Sequence, residues 1–258
     1  MAAHVAPYLL WIAFIMVFQV AESIGMPFPR SWIAPSYALK SVLCVVLLLV
    51  LRPWRYYKAC GGCWLRKCPV GLGCDGLVFS ALVGIAVAVL WILPETPFFH
   101  AHCGAIGDFY NKWLIMPPGA YPDYYAPPIF PALPEGFKSL AYSPVEAGWG
   151  LAIAKLLGSA FVIAAAEEYF FRGFLYRWLR RNDFLSIGIS VFDVSTFWIV
   201  VGVFALEHDR WFMGAVAGMA YGFAMVRTGR IRTAVIAHMV TNLLLGIYVL
   251  VSGQYGFW

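Results

Sequence analysis

Two glutamates stand side by side in the apolar run Ala164 Ala165 Ala166 Glu167 Glu168 Tyr169 Phe170 Phe171 Arg172 Gly173. A carboxylate-bearing side chain such as Asp costs about 2.5 to 3.5 kcal/mol at the centre of a membrane helix, so a doublet there needs a partner or a task. Helical residues four apart share a face, which pairs Glu168 with Arg172 and places Glu on the favourable N-terminal side. Glu167 is turned by about 100° from that register and has no local cation. A carboxylate without a counter-ion in a weakly solvated pocket is chemically suited to take a proton from water, the task of a general base. The doublet thus separates a structural acid, Glu168, from a chemical one, Glu167. The plainer alternative is that both pair with arginines and lock helices together.

Two further polar groups follow. Phe204 and His208 close one hydrophobic segment, and His238 and Asn242 lie within another, four apart and so on one helix face. Each has an ordinary reading by itself: His208 stands in the polar string Glu207 His208 Asp209 Arg210, and His238 with Asn242 could be a hydrogen-bonded pair in a core. In this order the three elements are far more specific than any one of them.

The elements that must position these groups are membrane helices. The 258-residue chain is 62% hydrophobic and 12% charged, where a soluble domain carries about 25% charge, and its mean hydropathy is +0.76. Pro7 to Met26, Tyr37 to Trp54, Gly76 to Leu93 and Ala147 to Phe171 read as spanning segments, followed by Ile187 to Leu206, Met213 to Val226 and Ala234 to Val251. Some are shorter than the ~20 residues that cross a bilayer, so the expectation is an all-α polytopic bundle of about six to eight transmembrane helices. It forms one integral membrane domain, 1–258, with the motifs in a core at 147–252.

No cleavable leader is evident, and the first helix is expected to remain as an anchor. The net charge of +5 does not point to nucleic acid, because the basic residues gather at helix ends. Arg52, Arg55, Lys58, Arg66 and Lys67, then Arg177, Arg180 and Arg181, then Arg227, Arg230 and Arg232 would all face the cytoplasm. The segment Pro94 to Glu146, rich in Pro, Tyr and Trp, suits the outer face as an aromatic loop. One conflict follows. If Ile187 to Leu206 crossed completely, His208 would emerge outside while His238 sits near the inner end of its helix, and the two could not both meet Glu167. Either a shorter helix begins near Asp193, or the charge-based topology fails locally.

Cys60, Cys63, Cys68 and Cys74 cluster in the basic loop, where a small zinc site and unliganded or redox-active thiols are both open readings. His100 and His102 beside Cys103 offer further ligands, or simply belong to the aromatic loop. Gly214, Gly218 and Gly222 recur every four residues, a stripe that lets helix backbones approach and is compatible with tight packing around a site.

The motifs EExxxR at Glu167, Glu168 and Arg172, FxxxH at Phe204 and His208, and HxxxN at His238 and Asn242 resemble those of the type II CAAX prenyl endopeptidases, also called the CPBP or Abi family. Tyr37 Ala38 Leu39 Lys40 and the tail from Thr241 to Leu250 resemble, more loosely, the bacterial branch associated with exosortase and PEP-CTERM protein sorting. The resemblance implies a glutamate-dependent intramembrane endopeptidase of the bacterial inner membrane. Glu167 would activate a water with help from His208, and His238 and Asn242 would stabilise the oxyanion, with Glu168, Arg172 and Phe204 in support. It implies no cofactor, the alternative being zinc held by the Glu and His residues. Its partners would be membrane lipid, a membrane-anchored protein or peptide substrate, and a protein-sorting system. Two other classes stay in view: a non-proteolytic binding, immunity or sorting partner of the same fold, and a transporter relaying protons through Glu and His. A binding scaffold need not keep all four polar residues, and a transporter would more naturally show interrupted helices in two related halves.

Overall fold

The computed structural model describes residues 1–57, 76–115 and 138–258, and among these it is helical with no strand. The cysteine cluster Cys60, Cys63, Cys68 and Cys74 lies outside the described residues.

Among the described residues eight helices carry the fold: α1 Ala2–Ser23, α2 Ile33–Leu51, α3 Leu77–Ile92, α4 Pro97–Trp113, α5 Pro144–Trp178, α6 Val194–Ala205, α7 Trp211–Thr228 and α8 Ile231–Ser252. Five helical segments are long and apolar enough to cross a membrane, those containing α1, α2, α3, α5 and α8, and α6 is a shorter apolar helix. This is the expected all-α polytopic bundle. Large aliphatic side chains such as Val42, Val46 and Leu49 on α2 are exposed on its outside, as lipid-facing positions require.

Two expectations are corrected. The aromatic segment after Pro94 contains α4, because Thr96 caps it, its Oγ1 accepting from Phe99 N at 3.2 Å, and Pro97 pre-sets the first turn. The segment expected from Ile187 to Leu206 becomes helical only at Val194, where Asp193 Oδ1 accepts from Thr196 N at 2.9 Å. The resulting helix is 12 residues long, and the topological conflict resolves in favour of a short helix starting near Asp193. His208 then lies one turn beyond a helix too short to carry it far from the site.

Glycine sets the close approaches. A Cβ on Gly222 would come within 2.9 Å of Phe197 Cε2, and one on Gly214 within 3.1 Å of Ala205 Cα, so the glycine stripe presses α7 onto α6. On the other side α3 meets α8, where Thr241 Oγ1 donates to the Gly84 carbonyl at 2.9 Å. Phe171, Phe204, Tyr221 and Ala237 join these helices in one buried core.

Candidate functional site

Helix α5 carries the doublet on a single α-helical turn, Ala164–Glu168, between two π-helical stretches, Gly158–Ile163 and Tyr169–Leu175. A π-turn widens the helix and is found mostly where function needs an irregular backbone. The expected pairing survives it: Arg172 Nη1 donates to Glu168 Oε1 at 3.0 Å. Both side chains are essentially enclosed, at 2% and 0% exposure, while that of Glu167 keeps 13%. Arg172 is held further by the Gly218 carbonyl at 3.2 Å and by the Phe204 ring, 4.3 Å from its guanidinium carbon.

His238 completes the group. Its Nδ1 lies 3.0 Å from Glu168 Oε1 and its Nε2 3.7 Å from Glu167 Oε2. An ionised carboxylate only accepts, so Nδ1 carries the proton and donates to Glu168. At 3.7 Å the second contact is too long for a direct hydrogen bond and is the separation at which a small polar group can intervene.

Asn242, one turn along α8, also faces α5, where its Nδ2 donates to the Ser159 carbonyl at 2.9 Å within the first π-stretch. That bond uses one of its two amide N–H groups. His208 sits in the turn between α6 and α7. Its Nδ1 is 2.8 Å from the Phe204 carbonyl, which can only accept, so Nε2 is the free, basic nitrogen. Burial pushes His208 down to about 4, keeping the ring neutral at pH 7. His208 lies within electrostatic reach of His238 and Arg172, and both histidine rings pack on Phe204, at centroid distances of 4.8 and 5.8 Å.

Glu167, Glu168, Arg172, Phe204, His208, His238 and Asn242 are therefore drawn around one centre, although His208 makes no ion pair with Glu167 among the described residues. Residues 149–244 match the family model described as type II CAAX prenyl endopeptidase Rce1-like. The match spans less than half of the chain and contains all three motifs. That family is one of proteases, which supports a peptidase in general. No curated protein and no solved structure matched the chain.

Two residues of the site escaped the sequence reading. Tyr221 stacks on His238 with centroids 4.8 Å apart and planes at 21°, and Trp91 meets His208 edge-on at 5.4 Å. Only the position of Tyr221 within the glycine stripe, between Gly218 and Gly222, hinted that it faces a close neighbour. Among the described residues, no group of three or more His, Cys, Asp or Glu side chains is arranged to hold a metal ion. His100 and His102 instead make local contacts, with Asn111 at 3.4 Å and the Phe98 carbonyl at 2.8 Å.

Proposed function

We propose that the chain is a glutamate-dependent intramembrane endopeptidase that cleaves a peptide bond in the tails of membrane-anchored proteins. The observation that supports this best is the asymmetry of the doublet: Glu168 is enclosed and held by Arg172 and His238, while the neighbouring Glu167 is partly exposed and paired to no Arg or Lys among the described residues. In the proposed reaction Glu167 takes a proton from water, and the oxygen attacks the scissile carbonyl carbon. The oxyanion accepts hydrogen bonds from His238 and from the remaining amide N–H of Asn242. Collapse breaks the C–N bond, and the leaving nitrogen takes the proton that Glu167 removed from water, which returns Glu167 to its carboxylate. His238 Nε2 can donate only from the cationic ring, since Nδ1 already holds the proton of the neutral one. His208, with Nε2 free, assists the proton transfers. Removing one oxyanion donor costs about 2.7 to 4 kcal/mol where this has been measured.

The reading is metal-free. Zinc held by Glu167, Glu168, His208 and His238 is the alternative, and it would have to compete with the Arg172 guanidinium for Glu168. Elemental analysis of purified protein decides between them: zinc lost in His238→Ala but retained when Cys60, Cys63, Cys68 and Cys74 become Ser would favour the metalloprotease. A place in bacterial exosortase-linked sorting rests on the resemblance of Tyr37 to Lys40 and of the tail from Thr241 to Leu250. The experiment that tests the function is a comparison of membrane proteomes with the native protein, without it, and with Glu167→Gln. A set of C-terminal tails cleaved only with the native protein is expected, and identical tails in all three would overturn the assignment.

A further inference from the structure

Two lysines of the bundle meet no anion among the described residues. Lys40 on α2 is 8% exposed, with Nζ 4.2 Å from the Trp11 ring centroid and 4.5 Å from that of Tyr37. Lys155 on α5 approaches the same Tyr37 ring at 4.1 Å and Tyr142 at 4.7 Å. Neither ammonium makes an ion pair or hydrogen bond with a described residue, whereas two of the buried arginines meet carboxylates, Arg172 that of Glu168 at 3.0 Å and Arg210 Nη2 that of Glu95 at 2.8 Å, and the buried Arg177 is held by the Tyr57 hydroxyl and the Gly173 carbonyl. Contact with aromatic faces recovers part of the cost of taking a cation out of water. That does not offset two like charges gathered on one ring within an apolar bundle, and ionisable residues at such depth mark functional sites when no structural partner is present.

The lysines adjoin the proposed active site. Tyr37, the ring they share, packs against Gly158, and the carbonyl of the next residue, Ser159, is the one that holds Asn242. Gly158 permits this approach, since a Cβ there would stand 2.8 Å from Tyr37 Cε1. Trp11, Tyr37 and Tyr142 supply an apolar wall around the two charges.

We propose that Lys40 and Lys155 form a subsite for a carboxylate of the substrate peptide, held beside the scissile bond. The inference rests on the proteolytic reading and names the chemistry of its substrate. A carboxylate can accept from both ammonium groups, giving the short charge-assisted bonds that strengthen in a poorly solvated site. A lipid phosphate would carry similar chemistry, but Lys40 is buried between Trp11 and Tyr37, and Lys155, half-buried, turns its ammonium toward Tyr37 and Tyr142.

The test uses the full chain with Glu167→Gln, reconstituted in nanodiscs so that no probe is cleaved, and titrates three probes by calorimetry: N-dodecanoyl-trileucine with a free carboxylate, its C-terminal amide, and dodecyl phosphate. The acid should bind at least about tenfold more tightly than the amide, the size of one charge-assisted hydrogen bond. That preference should vanish when Lys40→Gln or Lys155→Gln is added and survive in part with Lys155→Arg. Equal binding of acid and amide, no binding of either, or a preference that survives both Gln substitutions overturns the proposal. Tighter binding of dodecyl phosphate than of the acid overturns it in favour of a lipid headgroup site. The acid–amide comparison needs no lysine variant, so misfolding of one does not obscure the answer. Cleavage by the native protein is scored separately. A carboxylate preference without any cleavage would reject the protease and keep the subsite, and cleavage without the preference would do the reverse.

Discussion

His238 binds Glu168 through Nδ1 at 3.0 Å, and this bond turns its Nε2 toward Glu167, 3.7 Å away. One imidazole therefore reads both members of the doublet, and it does so unequally. Arg172 donates to the same Glu168 oxygen that His238 uses, Oε1, so two cationic or polar donors hold Glu168 in place while Glu167 is the acid with freedom to act.

Exchange of the two glutamates for glutamine should accordingly have different consequences. Glu167→Gln should abolish cleavage while the protein melts in detergent close to the native temperature. Glu168→Gln leaves Arg172 enclosed without its counter-charge, and breaking a buried pair in this way costs roughly 3 to 5 kcal/mol. A lower melting temperature and loss of activity should appear together. Cleavage by purified Glu167→Gln would remove Glu167 from the role of base.

Tyr221 should behave as a positioning residue. Its ring stacks on His238, and Tyr221→Phe keeps the stack while Tyr221→Ala removes it. A misplacement of about 1 Å at a reacting group can cost about a hundredfold in rate, so Tyr221→Ala should lower kcat on that scale with KM little changed. Rescue by Tyr221→Phe distinguishes stacking from a need for the hydroxyl, and equal loss in both variants would discard the stacking argument.

The glycine stripe can be tested against an open glycine. Gly222→Ala puts a methyl 2.9 Å from Phe197, an overpacking worth about 1 to 3 kcal/mol, whereas Gly202→Ala meets nothing within 4 Å. Gly202→Ala should instead stabilise α6 by roughly 0.5 to 1 kcal/mol through helix propensity. Thermal unfolding of the pair should move in opposite directions.

His208 should titrate abnormally. Burial lowers it from 6.5 to about 4, so the unfolded chain takes up its proton first as pH falls. The sign follows: this contribution to stability is complete above pH 6.5 and is lost progressively toward pH 4. Histidine NMR shifts should report a neutral His208 ring at pH 6, and His208→Gln should flatten the acid side of the stability curve. A cationic ring at pH 6 would contradict the desolvation of its half-buried place between α6 and α7.

Asn242 probes the transition state. If its second N–H serves the oxyanion, Asn242→Ala should reduce kcat by about a hundredfold or more and leave KM nearly unchanged. The same variant frees the Ser159 carbonyl in the π-turn, so its melting temperature must be measured alongside. Weakened binding with an intact kcat would reduce the residue to a wall of the pocket.

The sequence alone carried the helical class, the long spans and the local register of Glu168 with Arg172, because hydrophobic runs and i,i+4 geometry depend only on neighbours along the chain. It also put His238 and Asn242 on one face, and both do turn toward α5. It could not show that His238 bridges the glutamates, that Tyr221 backs it, or that Lys40 and Lys155 share the ring of Tyr37, since these contacts join helices whose relative rotation is set by packing. The start of α6 is by contrast local, and one of the two alternatives open in the sequence: hydrophobicity extends back to Ile187, but the backbone turns helical only where Asp193 can cap it. Helix α4 was hidden for a related reason. Its capping signal, Thr96 before Pro97, is local, yet the surrounding Pro, Tyr and Trp composition reads as loop until the chain has something to lie against.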